Sequence, residues 1–299
     1  MIWKSNTYER EDVNRGKVKK WCYLSPTKEG EAMDETIAKT LKGLKKRGLK
    51  GWLAENKEEA QKTILDLVPL DATLGLGDSS TVRQIGIIER LQAKGVRVIN
   101  PFDPKKDNST VEANFENTFW PMIEATVCDV FMAGMNALTE DGKIVNIDGV
   151  GNRVAGMIWG HPMTILVVGR NKIVKDLETA LERIKDVIAP EHISRKIGEG
   201  GRGKGPPCTS SRECFECSGE KRVCAVTTII EHKPLFTDIH VVIVDQDLGL
   251  GWDSSWPQER ISAIADYHMK FVCPLPPKGG DKSTINGLLN MAKSKQRGK

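Results

Sequence analysis

The stretch "PMTILVVGRNKIVKDLETALERIKDVIA", Pro162 to Ala189, decides the fold. Ile165 to Val168 are apolar in succession, with no polar residue alternating between them, which is the pattern of a strand covered on both faces. Leu177, Leu181, Ile184 and Ile188 then recur at helical spacing and define one apolar face. The same alternation runs upstream. "GLKGWLAE" (Gly48 to Glu55) reads as a strand, and "NKEEAQKTILDLV" as a helix capped by Asn56. "ATLGLG" (Ala72 to Gly77) is a strand ending in glycines, and "SSTVRQIGIIERLQAKG" a helix closed by Gly95. "VRVINPF" is a strand, "STVEANFENTFWPMIEA" a helix with a break near Pro121, and "TVCDVFMAG" another apolar strand. Repeated strand–helix alternation predicts an α/β fold: an open, mainly parallel sheet with flanking helices.

Working outward, "AVTTIIEH" and "DIHVVIVDQDLGLG" read as two more strands, expected to pair as a hairpin on the sheet edge. Between them and the long helix lie the glycine-rich, basic "KIGEGGRGKGPP" and a cysteine cluster, an insertion into the domain. The expected organisation is an N-terminal extension over residues 1–30, an α/β domain over 31–250 with a cysteine-rich loop at 198–224, and a C-terminal extension over 251–299. In that extension Trp252 and Trp256, if exposed, would mark an interface.

The net charge of +4 is small for 299 residues, and the basic residues are interspersed with 40 acids, so nothing demands nucleic acid. The polar N-terminus has no signal-peptide core, and no run of eighteen apolar residues exists, so no membrane span and a cytoplasmic location are expected. In a reducing cytosol, clustered cysteines are metal ligands more often than disulfides.

"CTSSRECFECSGEKRVC" holds Cys208, Cys214, Cys217 and Cys224 in the spacing C-x5-C-x2-C-x6-C. Thiolates are soft ligands suited to zinc or to iron–sulfur clusters. A zinc ribbon shows two C-x2-C knuckles set apart, and this segment has one. The uneven spacing favours a four-iron cluster, with structural zinc as the alternative and free or redox-active thiols as a third reading. Cys128, in an apolar strand, reads as a small core residue.

"LGLGDSSTV" (Leu74 to Val82) joins a strand to a helix through glycines and hydroxyls. It suits an anion: Gly75 and Gly77 allow close approach, and Asp78, Ser79, Ser80 and Thr81 surround the helix start. A tight turn with Ser79 or Ser80 as helix cap explains the same residues without a ligand. "NALTEDGKIVNIDGVGNRV" packs Glu140, Asp141, Asp148, Asn152 and Arg153 into turns beside strands. Carboxylates there can act as acids, bases or nucleophiles, while Asp141-Gly142 is equally a hairpin dipeptide.

The run "CDVFMAGMNALTEDGKIVNIDGVGNRVAGMIWG" with "MTILVVGRNKIVKDLETALERIKDVIAP" resembles the LUD (lactate-utilisation protein, DUF162) domain family, over roughly Asp34 to Gly249 and most specifically from Thr139 to Arg153. The resemblance implies the fold of the ribose-phosphate isomerase, glucosamine-phosphate deaminase and CoA-transferase superfamily. There the glycine loop binds phosphate or carboxylate, with Gly75, Gly77, Asp78, Ser79, Ser80, Thr81, Asn152 and Arg153 as the residues to compare here. CoA-transferases use a glutamate nucleophile in a turn, which points to Glu140, with Asp141 beside it as a proton carrier. The implied function is binding of a small organic acid, with an iron–sulfur cluster on the four cysteines, in an oxidoreductase or electron-transfer subunit of hydroxy-acid metabolism. Its partners would be a dehydrogenase or other redox protein, or further copies of the chain. A non-enzymatic scaffold with structural zinc and a cluster-free transferase or isomerase of activated acids or sugar phosphates stay open beside it.

Overall fold

The structure is a computed structural model and describes residues 34–197, 205–273 and 282–297. The N-terminal extension over 1–30, Cys22 and most of the glycine-rich linker lie outside the described residues.

Six strands form the main sheet: β1 (Lys50–Ala54), β2 (Thr73–Leu76), β3 (Arg97–Ile99), β4 (Val130–Gly134), β7 (Met163–Gly169) and β10 (Asp238–Val244). Their order is β1-β10-β7-β4-β2-β3, and every neighbouring pair is parallel. The alternation of side chains explains both covered faces. On one face Ile165, Val167, Val242 and Val244 meet α2 (Lys57–Leu67), α3 (Ser80–Ile85) and α4 (Ile87–Ala93) through Ile64, Val82, Ile85 and Leu91. On the other, Leu166, Val168, Val241 and Ile243 meet Ile37, Leu41 and Leu44 of α1 (Glu35–Lys46) and Met157 of α7 (Asn152–Ile158).

A second, four-stranded sheet lies beside the expected parallel one. Its order is β8-β5-β6-β9, built from β5 (Ala137–Thr139), β6 (Ile144–Asp148), β8 (Ile173–Val174) and β9 (Val226–Ile230). Its inner residues Leu138 and Ile144 join the α1 side of the core. Its outer residues Ala137, Val145 and Val174 are covered by Ala180 of α8 (Leu177–Arg183) and by Ile184 and Ile188. The hairpin expected of the last two strands does not form. β9 runs antiparallel to β6, while β10 lies inside the main sheet between β1 and β7. The burial of each strand gives the reason. Ile239 to Val244 is buried throughout and needs cover on both faces, whereas β9 is largely exposed and suits an edge.

Two helices continue through prolines by widening one turn. The Trp120 N–H reaches the Phe115 carbonyl, so Phe115–Phe119 is a π-turn leading from α5 (Val111–Asn114) into α6 (Trp120–Ala125). The Ala189 N–H likewise reaches Ile184 across the π-turn Ile184–Ile188, which joins α8 to α9 (Ala189–Ile197). In both cases a proline, Pro121 or Pro190, follows immediately. Proline lacks the N–H that an α-turn would need, and the i→i−5 bond one residue earlier accommodates that loss. The expected break near Pro121 is therefore a bulge within a continuous helix.

The short α10 (Cys208–Ser211) opens the cysteine loop, and the C-terminal extension packs on the domain. α11 (Gln258–Met269) is fastened by Arg83 Nε donating to the Phe271 carbonyl at 2.8 Å and by Arg260 on Asp247 at 2.7 Å. α12 (Lys282–Arg297) sets Leu288 and Ala292 against Phe115 and Trp120. Trp252 and Trp256 are half-buried, and Trp256 lies 3.7 Å beneath the Arg260 guanidinium, so the exposed pair that would mark an interface is not present.

Candidate functional site

Strand order reverses at β2. The chain leaves β2 for β3 on one side and returns to β4 on the other, so β2 and β4 diverge at their carboxyl ends. Such a switch point is where open parallel sheets bind ligands. A cavity of about 1110 Å³ opens there, floored by Asp78 to Thr81 after β2 and by Gly134 to Asn136 after β4. Its walls come from Arg153 on α7, Lys172 after β7, His192 on α9, the cysteine loop, and His268 and Leu288 of the C-terminal extension.

Ser79 caps α3, its hydroxyl accepting the Val82 N–H at 3.2 Å. Ser80, Thr81 and Asn152 line the cavity with it. Gly75 and Gly77 do not line it; they serve packing. A Cβ on Gly75 would stand 2.5 Å from the Ala125 carbonyl oxygen, and one on Gly77 3.0 Å from the Phe131 ring. The negative charge of Asp78 is already matched. Arg83 bonds one oxygen at 2.9 Å and Lys196 pairs with the other. Burial alone would raise this carboxyl, but the charges of Lys196 and Arg83 hold it well below the usual carboxylate range.

Lys172 is the opposite case. It is 6 % exposed, and its Nζ donates to Thr81 Oγ1 at 3.1 Å and to the Met135 carbonyl at 3.0 Å. No carboxylate among the described residues pairs with it. Burial first, and the Arg153 charge second, push its ammonium down to about 7. Arg153 stands on the same floor, its guanidinium held by Asn136 Oδ1 at 3.1 Å, the Ile147 carbonyl at 2.8 Å and Asp148 at 3.5 Å. Asp148 also accepts the N–H groups of Val150, Gly151 and Val154, which fixes the turn that carries Asn152 and Arg153.

Two imidazoles face this floor. The rings of His192 and His268 are 5.9 Å apart. Burial, with Lys196 for His192 and with His192 and Lys172 for His268, lowers each to about 3, so both are neutral near pH 7. Both nitrogens of His268 are buried without a partner among the described residues, an arrangement that costs about 1–3 kcal/mol per group in a site built for packing alone.

Cys208, Cys214, Cys217 and Cys224 all line the same cavity. Arg222 gathers their loop by donating to the carbonyls of Cys217 and Cys224, the latter at 2.8 Å. Arg212 ties it to Glu191 of α9 at 2.8 Å, and the Ala225 N–H to the Asp148 carbonyl at 2.9 Å. Burial and then the charges of Cys224, Cys217 and Cys214 raise the Cys208 thiol, so the four sulfurs lie within one another's field. Among the described residues no three His, Cys, Asp or Glu side chains stand close enough to hold a metal ion as placed. The four thiols share one cavity, and thiolates are soft donors. Cys128 is buried in the core, its Sγ against the Ala125 carbonyl at 2.9 Å.

Glu140 and Asp141 are brought to a different place. They sit in the β5–β6 turn against α1, where Glu140 pairs with Lys39 at 2.5 Å and Asp141 with Arg47 at 2.6 Å. Neither lines the cavity. Gly142, at φ +90°, makes this the hairpin turn that its Asp-Gly dipeptide suggests. Sequence reasoning missed Lys172, His192 and His268. Lys172 left one signal, its position just after an apolar parallel strand; the histidines left none.

An α/β fold with its cavity at the switch point of a parallel sheet defines the class. The LUD domain family matches residues 37–244, more than half of the chain, and the chain belongs to that family, whose name records a relation to lactate utilisation. Four solved chains are similar, among them a DUF162 family protein from Deinococcus radiodurans, at 13% identity and a TM-score of 0.37, over 71% of this chain and 99% of that one. No curated protein matches. No helix among the described residues is long and apolar enough to cross a membrane.

Proposed function

We propose that the switch-point cavity binds a small organic acid or similar anion, and that the chain is an iron–sulfur redox enzyme or electron-transfer subunit of hydroxy-acid, lactate-like metabolism. The observation that carries the first part is Lys172: a buried ammonium with no carboxylate partner among the described residues, beside Arg153 and the hydroxyl of Thr81. Burying an unpaired charge costs several kcal/mol, and a bound anion supplies the missing partner. Thr81 and Asn152 add polar contacts, and Arg153, whose Nε and Nη2 are engaged by Asp148, Asn136 and Ile147, offers its Nη1 donors to a carboxylate. Asp78, matched by Arg83 and Lys196, does not oppose the anion.

The second part rests on the four thiols along the same cavity and on membership of the LUD family. Cys208, Cys214, Cys217 and Cys224 would hold a four-iron cluster, which when bound supplies one-electron chemistry beside the acid. The chain's own residues bind and orient the acid, and the apolar walls exclude water from it. A dehydrogenase or other redox protein is the partner this reading calls for.

Titration of lactate and related acids into protein purified without oxygen tests the first part. Binding that is lost in Lys172→Met supports it, and equal binding by that variant refutes it. Iron, acid-labile sulfide and zinc measured on the same sample test the second. Iron with sulfide, lost in Cys217→Ala, supports the cluster; stoichiometric zinc in colourless protein refutes it.

A further inference from the structure

Helix α11 lies beyond residues 37–244, yet it supplies part of the cavity wall. Its His268 is 1 % exposed, and neither ring nitrogen has a partner among the described residues. A neutral imidazole carries one donor and one acceptor. The ring therefore carries an unmatched N–H and lone pair in the wall of the cavity that Lys172, Arg153 and His192 also line. The ring is also held in place: Arg83 and Arg195 donate to the carbonyls of Phe271 and Ala265, and His192 lies beside it at 5.9 Å. A carboxylate only accepts hydrogen bonds and is served by the cations. A hydroxyl both donates and accepts, as a neutral imidazole does.

Resting on the anion reading above, we infer that His268 is the residue through which the C-terminal extension selects a hydroxyl-bearing acid. The imidazole hydrogen-bonds the ligand hydroxyl while Lys172 and Arg153 hold its carboxylate. The family-matched domain thus carries the charge recognition, and the added helix reads the hydroxyl. The cavity is far larger than a three-carbon acid needs, since clefts of roughly 300–1,000 Å³ hold drug-sized ligands. Phe119, Met122 and Leu288 on its walls leave room for an apolar substituent on that acid.

The test is calorimetric titration of matched acids that differ only in the hydroxyl: lactate and propanoate, malate and succinate, 3-phenyllactate and 3-phenylpropanoate. Each is titrated into the wild type, His268→Leu and His268→Gln. The wild type is expected to bind the hydroxy acid of at least one pair about tenfold more tightly than its partner. His268→Leu is expected to bind both members equally, at the wild-type affinity for the des-hydroxy acid, which also reports that the variant is folded. His268→Gln, which keeps a donor and an acceptor, is expected to restore part of the preference. No preference in the wild type, or an undiminished preference in His268→Leu, overturns the inference. If His268→Leu binds neither acid, His268→Gln decides: a preference retained at least in part supports the inference, and loss of preference with intact des-hydroxy binding overturns it. If no acid binds the wild type, or if Lys172→Met binds as well as wild type, it is the anion reading that fails.

Discussion

Anion binding at Lys172 should draw a proton from solution, and the amount follows from the structure. In the free protein burial holds this ammonium at about 7. A carboxylate placed against it restores the charged form and returns the group toward its ordinary value. At about pH 8 roughly 0.9 of the free molecules carry a neutral Lys172, so binding takes up about 0.9 proton; at about pH 6 only about 0.1 is taken up. Affinity should then fall roughly tenfold for each pH step above about 7 and level off below it. His192 and His268 stay neutral across this range and add nothing. Asp78, held low by Lys196 and Arg83, stays ionised. The assay is isothermal titration calorimetry in buffers of different ionisation enthalpy, where the slope of observed heat against buffer enthalpy counts protons directly. A slope near zero at about pH 8, with the acid bound, would refute the idea that the anion completes the charge of Lys172.

The same lysine makes a prediction for the free protein. Its folded value lies below its unfolded value, so the unfolded chain binds the extra proton between about pH 7 and 10.5, and stability rises with pH across that window. Lys172→Met should therefore be more stable than wild type below about pH 7, by on the order of 1–4 kcal/mol, with the gain shrinking toward pH 10; denaturant melts at several pH values would show it. Gly75→Ala should destabilise by about 1–3 kcal/mol, because its Cβ would lie 2.5 Å from the Ala125 carbonyl oxygen; a melting temperature matching wild type would mean that the end of α6 yields at no cost. Ser79→Ala should lose about 1 kcal/mol of stability with its helix cap, read from urea unfolding. Glu140→Gln should leave acid binding unchanged in the same calorimetry, since Glu140 is paired to Lys39 away from the cavity.

The chain by itself determined the strands and helices of the parallel sheet, because unbroken apolar runs such as Ile165 to Val168 have only one way to escape water, cover on both faces. It also determined the glycine–hydroxyl turn after β2, the Asp141-Gly142 hairpin, and the cysteine spacing. These are local patterns, set by backbone freedom and by the period of each element. Tertiary structure alone decided where β9 and β10 went, since pairing partners are chosen by burial among distant segments. It likewise decided that Glu140 and Asp141 face α1 while Lys172 faces Arg153. Lys172 is 91 positions from Thr81 in the chain, and their Nζ and Oγ1 stand 3.1 Å apart. His268 meets the same cavity only because α11 folds back over it. A lysine in a sequence looks the same whether its charge is matched or not; only the packed surroundings leave Lys172 buried with no carboxylate partner among the described residues.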